Sequence, residues 1–204
     1  MKLIYVVFLS SDNLMGKLIR CFTRHAFNHT AISLDESLMK MYSFARRQKR
    51  SPLVGGFVVE TPSRYFGGKG KVPLKIAEVA LDERQYSSVL ATIEDFERRQ
   101  GELIYNSIDA FFSLFSIRVH IRDSHTCYSF VAQALNLKGI GNISDLEKHV
   151  EKSLVYTGDI KSYINGPIGE NPFYFETLSK RTIAIGTIRH FWRLFARGIA
   201  PGRR

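Results

Sequence analysis

The chain has 204 residues, 45% of them hydrophobic and 24% charged, a size and composition suited to one compact folded domain. No run approaches the roughly 18 uninterrupted apolar residues of a membrane-spanning helix, which excludes a helical membrane span. The formal net charge of +10 favours anionic neighbours, but the basic residues are scattered and join no recognisable nucleic-acid fold or aromatic stacking surface, so nucleic acid is not the expected partner.

Leu3 to Ser10 is rich in β-branched and aromatic residues and reads as a strand. It faintly imitates a signal peptide, yet it is short and runs into Ser10-Ser11-Asp12-Asn13 without a small-x-small cleavage pattern. Leu14, Leu18, Ile19 and Phe22 recur at helical spacing behind Asp12 and Asn13, predicting a short amphipathic helix. His29 to Leu34 is a strand pattern, Asp35-Glu36-Ser37 a hairpin turn, and Met39 to Phe44 the return strand. The basic run Arg46 to Arg50 falls in the loop that follows, and Gly55-Gly56 precedes a further strand, Phe57 to Glu60. Gly67 to Lys71 is a flexible basic tip that lacks the GxxxxGK[ST] order of a phosphate-binding loop.

Pro73 to Leu81 reads as a strand, and Asp82 caps a helix to about Arg99 with Tyr86, Val89, Leu90, Ile93 and Phe96 on one face. The aromatic segment Ile108 to Ile117 is expected to be buried. Thr126 or Ser124 caps a helix from Cys127 to Leu137, ended by Lys138-Gly139, and Ser144-Asp145-Leu146-Glu147 forms a capping box opening one more helix. Residues 1–181 are read as one domain and 182–204 as a basic amphipathic helix packed on it.

Cys127 is the most informative residue. Polar capping residues come immediately before it, and Phe130, Val131, Ala134 and Leu135 follow at helical spacing. The thiol therefore stands in the first helical turn, where unpaired N–H groups and the helix dipole favour negative charge on sulfur. The alternative is a small buried core residue, a common fate of free cysteine. With only Cys21 besides, the chain suits a reducing cytoplasm, and a reduced Cys127 is a condition of any thiol chemistry.

A thiol needs a base within reach. His125 lies on the capping side and is expected to point away, His149 sits on a charged helix face and His190 on a basic helix. His29 opens the apolar strand Thr30-Ala31-Ile32, where a ring can be held rigidly, whether as a base or as a strand-end residue bonded to backbone. No His/Cys cluster has zinc-site spacing, so no metal or other cofactor is expected.

Asn28-His29-Thr30-Ala31-Ile32-Ser33 and, far downstream, Thr126-Cys127-Tyr128-Ser129-Phe130-Val131 together resemble the circularly permuted papain-like hydrolases, a group related to NlpC-type cell-wall peptidases and lecithin retinol acyltransferase-like enzymes. In that permuted branch the histidine strand precedes the cysteine helix, as it does here. Met41 to Arg46 and Gly55 to Glu60 resemble stretches of a bacterial subgroup, and the similarity spans roughly Leu3 to Gly141. The resemblance implies an α+β, circularly permuted papain-like fold, with an antiparallel sheet packed with helices. It also implies Cys127 as nucleophile, His29 as base and a third polar residue on the next strand, near Ser43, to orient the imidazole. Glu60 is the alternative third member if its strand lies alongside, and Tyr5 either reaches the site as a hydroxyl donor or is a core aromatic.

In the tail, Ile188, Phe191, Trp192, Phe195 and Ile199 form one helical stripe, with Arg189, Arg193 and Arg197 opposite. The stripe either packs onto the domain with its arginines in water or lies at an anionic bilayer surface. Three functions stay open. One is a cysteine hydrolase cleaving an amide in a peptide or peptidoglycan fragment through a thioester. The second is a membrane-associated thiol acyltransferase or lipase acting on an acyl substrate, and the third an inactive ligand-binding relative. The expected location is cytoplasmic, with membrane periphery implied only by the second.

Overall fold

The computed structural model describes residues 1–10, 26–67, 70–115, 117–169 and 171–198, and the helix expected around Leu14 to Phe22 lies outside them. Strand β1 (Lys2–Leu9) is buried on both faces from Ile4 onward, so it forms the middle of a sheet. It pairs on one side with β2 (His29–Ser33) and on the other with β5 (Pro73–Leu81). With β3 (Met41–Arg46), β4 (Gly55–Glu60) and β8 (Leu154–Asp159) the order is β4-β3-β2-β1-β5-β8, and every neighbouring pair is antiparallel. A separate parallel pair joins β6 (Ile104–Tyr105) to β7 (Ser124–His125). The chain is thus α+β, with a six-stranded antiparallel sheet packed with helices.

The period-two alternation of β1 divides the core. Ile4, Val6 and Phe8 join Phe44, Phe57, Phe96, Cys127 and Phe130 on one face, whereas Tyr5, Val7 and Leu9 join Met41, Tyr65, Leu74 and Ile76 on the other. Phe8, Phe44, Phe57 and Phe130 are almost wholly buried, and each contributes roughly 1.5–3 kcal/mol of apolar transfer. Helix α2 (Glu83–Arg98) covers part of this first face after a capping box between Asp82 and Gln85, as its spacing predicts. Gly55 and Gly56 have a steric reason to be glycine. A Cβ on Gly55 would stand 2.7 Å from both the Ala45 carbonyl oxygen and Tyr105 Cβ, and one on Gly56 would stand 2.7 Å from the Leu103 oxygen. That close approach brings the β6 segment against β4.

Several expectations shift. The return strand begins at Met41, after Leu38 takes a left-handed conformation with φ of 56°. The cysteine helix, α4 (Cys127–Ala134), is shorter than the spacing predicts, because Asn136 turns left-handed at φ 53°. Helix α5 (Ile143–His149) is capped by Asn142 onto the Asp145 N–H, two residues before the expected Ser144 cap. The aromatic segment forms α3 (Ser107–Phe112) and a 3₁₀ turn, Ser113–Phe115, but it is not buried throughout: Phe111, Phe115 and Ile117 are each about half exposed, at 50%, 56% and 51%. Short helices α1 (Ser63–Phe66), α6 (Ile160–Tyr163) and α7 (Pro172–Phe175) complete the set before α8 (Lys180–Arg197).

Helix α8 docks with the opposite side from the one its apolar stripe suggests. His190 and Leu194 are buried, Phe191 packs with Ile104, Ile121 and Leu194, and Arg193 and Arg197 donate to the carbonyls of Gly101, Glu102, Arg122 and Asp123. Ile188, Trp192 and Phe195 point outward. Carbonyls at the β6 and β7 loops accept from the guanidinium forks, charge-assisted bonds that fix this side of the helix inward. Among the described residues no helix is long and apolar enough to cross a membrane.

Candidate active site

Thr126 takes an extended conformation and caps α4 twice over. Its hydroxyl accepts from the Ser129 N–H at 3.2 Å, while its own N–H donates to Ser129 Oγ at 2.9 Å. This fixes Cys127 as the first helical residue and leaves the N–H groups of Cys127 and Tyr128 without an intrahelical acceptor. Cys127 is a free thiol, 3% exposed. The next residue anchors the turn: the Tyr128 hydroxyl donates to Asp109 Oδ2 at 2.7 Å, and Asp109 Oδ1 accepts the Val119 N–H at 2.8 Å.

His29 opens β2 opposite Leu9 and is 7% exposed. Its imidazole stands beside the Cys127 side chain, which helps to raise the ring's pKa, and its Nε2 donates to Glu60 Oε1 at 2.7 Å. With Nε2 engaged by the carboxylate, Nδ1 is the ring nitrogen left for the sulfur. Pairing between β2 and β3 is confined to Ile32↔Tyr42 and Ser33↔Met41, so the ladder stops short of His29 and Ser43. Glu60, the last residue of β4, lies opposite Met41, and its side chain reaches the ring.

Glu60 is almost wholly buried and has a partner on every side. Oε1 accepts from His29 and from the Ser43 hydroxyl in a short bond. Oε2 accepts from the Tyr65 hydroxyl at 2.6 Å and pairs with Arg64 Nη1 at 3.4 Å. Tyr174 of α7 closes the outside, its ring 4.2 Å from the Arg64 guanidinium carbon. Burial alone would raise the Glu60 pKa. The His29 and Arg64 charges, then the bonds from His29 and Ser43, reverse this and hold the carboxyl well below the usual carboxylate range. Burial likewise works against a charged His29, but the Glu60 carboxylate, the Cys127 side chain and the hydrogen bond to Glu60 outweigh it and raise its pKa to about 10.

Of the residues expected at a site, Cys127, His29 and Glu60 are brought together from three separate elements, with His29 bonded to Glu60 and the Cys127 side chain beside the ring. Ser43 does not touch the ring as expected. Its hydroxyl is engaged by Glu60, which places it one step behind the carboxylate. Of the two readings of Tyr5 the structure shows the core aromatic: it lies on the sheet face away from Cys127, among Val7, Leu9 and Met41. The ring of His125 packs against Phe44 and Phe96, each with centroids 5.0 Å apart. Sequence reasoning missed Arg64, Tyr65 and Asp109. Arg64 lies four residues after Glu60, a spacing that signals an ion pair, whereas nothing local marks Asp109 or Tyr65.

The arrangement can move a proton from sulfur to an imidazole backed by a fixed carboxylate, beside two helix-terminal N–H donors. Among the described residues no group of three or more His, Cys, Asp or Glu is placed to hold a metal ion. In comparisons with protein-family models, with curated proteins and with solved structures, the chain has no significant match.

Proposed function

We propose that the protein is a cysteine hydrolase of the permuted papain-like kind, cleaving an amide bond in a peptide or cell-wall fragment through a thioester on Cys127. The observation that carries this reading is the grouping of Cys127, His29 and Glu60, with the thiol at a capped helix start and the carboxylate bonded to the imidazole Nε2. In this reading His29 accepts the Cys127 proton as sulfur attacks the carbonyl carbon. The tetrahedral oxyanion draws on the N–H groups of Cys127 and Tyr128. Collapse expels the amine, which takes its proton from the imidazolium. Water, deprotonated by His29, then attacks the thioester and releases the acid, restoring the thiol. Glu60 stays ionised throughout, holding the ring and stabilising its positive form.

The test is single-turnover acylation with a panel of activated amide and ester substrates, scored by mass spectrometry of the intact chain. A mass increase that maps to Cys127, and that disappears in both Cys127→Ala and His29→Ala, supports the reading. If Cys127 reacts with electrophiles no faster than a free thiol near neutral pH, and His29→Ala leaves that rate unchanged, the chemistry is wrong.

A further inference from the structure

We infer that the outward face of α8 is a docking surface for an anionic phospholipid bilayer. Ile185, Ile188, Trp192 and Phe195 are 55%, 70%, 72% and 70% exposed, and they recur at i, i+3, i+7 and i+10. They therefore form one stripe about 15 Å long, at 1.5 Å per residue. A run of large apolar side chains this exposed on a folded helix marks an interaction surface. The helix is already fixed from behind by His190, Leu194 and the arginine-to-carbonyl bonds, so the stripe is presented ready-made.

Charge selects the occupant. After Glu176 the chain holds seven Lys or Arg residues and no Asp or Glu. Arg181 and Arg189 are exposed on the outward side of α8, bordering the stripe. A tryptophan and aliphatic residues flanked by arginines suit the boundary between acyl chains and anionic headgroups. A second copy of the chain fits worse, because a two-fold contact would set this basic face against itself. The aromatic turn of α3 lies beside α8: exposed Phe111 and Phe115 have ring centroids 5.9 Å apart, and its neighbours Ile108 and Val119 share a cluster with Phe191 and Leu194 of α8.

Docking this way leaves α8 between the bilayer and the segment that leads to the nucleophile. Arg197 bonds the Asp123 carbonyl at 2.7 Å, and β7 and Cys127 follow directly. The inference stands apart from the proposed chemistry, since it needs neither the thiol nor the histidine.

Trp192 is the only tryptophan in the chain, so its fluorescence reports on the stripe alone. Full-length protein is mixed with vesicles of phosphatidylcholine, or of three parts phosphatidylcholine to one part phosphatidylglycerol. The expected result is a blue shift and co-sedimentation with the anionic vesicles only, with quenching of Trp192 by brominated acyl chains. Ile188→Gln combined with Phe195→Gln is expected to weaken partitioning at least about tenfold, and Arg181→Gln combined with Arg189→Gln to weaken it and reduce its salt dependence. Cys127→Ala is expected to bind as the wild type does. Unmoved Trp192 emission with anionic vesicles at low salt overturns the inference, as does unchanged binding by the Ile188/Phe195 variant. A lipid-free dimer that the same two substitutions dissolve assigns the face to a second copy instead. Brominated-lipid quenching of the unmodified chain decides the matter even if a variant folds poorly.

Discussion

Two histidines are buried in this molecule to almost the same extent, His29 at 7% and His190 at 4% exposure, and their surroundings drive them in opposite directions. Burial disfavours the charged form of both. Beside His29 stand the Glu60 carboxylate and the Cys127 sulfur, and the pKa rises to about 10. Beside His190, burial is opposed only by a hydrogen bond to the Tyr105 backbone and is reinforced by Arg193, Arg47 and Arg197, so the pKa falls to about 4. Its Nε2 has no hydrogen-bond partner among the described residues. One histidine is built to hold a proton and the other to do without one, and the difference lies in neighbouring charge rather than in depth.

The comparison breaks most directly at the thiol. Alkylation of Cys127 by iodoacetamide near neutral pH is expected to slow about 10²- to 10⁴-fold in His29→Ala, the range for losing a positioned acid–base group. His190→Gln, which changes a neutral ring for a neutral amide, should leave that rate as it is. Equal rates in the two variants would mean that the raised pKa of His29 has no bearing on Cys127.

Glu60→Gln tests what raises it. A hydrogen bond to a charged group contributes roughly 1.5–3 kcal/mol, so reactivity is expected to fall about 10- to 150-fold. The upper limb of the pH–rate profile should also move down from about 10 toward the ordinary histidine value of 6.5. A lowered rate with an unmoved limb would reduce Glu60 to a purely structural role.

Stability should divide the same way. The folded-state pKa of His29 is raised, so its contribution is fully present below 6.5 and is lost as pH rises through about 10. That of His190 is depressed, so the folded state loses stability as pH falls from 6.5 toward about 4, where the unfolded chain binds the proton that the native ring refuses. Thermal midpoints measured across pH are expected to show His29→Ala flattening the alkaline arm and His190→Gln flattening the arm between those two values. Glu60, with its lowered pKa, contributes above the ordinary carboxylate value and is lost only at more acid pH.

Much of this arrangement was legible in residue patterns. The alternation of Pro73 to Leu81, the one-sided apolar spacing of Asp82 to Arg99 and the cap at Thr126 are local signals, and local hydrogen bonding satisfies them. What escaped is set by tertiary choice. The apolar stripe of Lys180 to Arg197 says that one face differs from the other, but bonds to the carbonyls of Gly101, Glu102, Arg122 and Asp123 decide which face is covered. Strand β8 carries an alternating but half-exposed edge pattern, too weak to stand out in the sequence. Whether Ser43 or Glu60 meets the imidazole depends on how β2, β3 and β4 lie against one another, and no single segment encodes that.

The finest test concerns Ser43 itself. Its hydroxyl donates to the same oxygen, Oε1, that accepts from His29, while Tyr65 and Arg64 occupy the other oxygen. Removing it in Ser43→Ala leaves the carboxylate still paired with a cation and a phenol, so the loss is that of one hydrogen bond among four contacts. A reduction of about 2- to 10-fold in Cys127 alkylation is expected, matching roughly 0.5–1.5 kcal/mol. The upper limb of the pH profile should shift only slightly, because the charge on Glu60 is unchanged. A loss as large as that of Glu60→Gln would instead show that Ser43 fixes the carboxylate in reach of His29, and that the contacts on Oε2 alone do not hold it there.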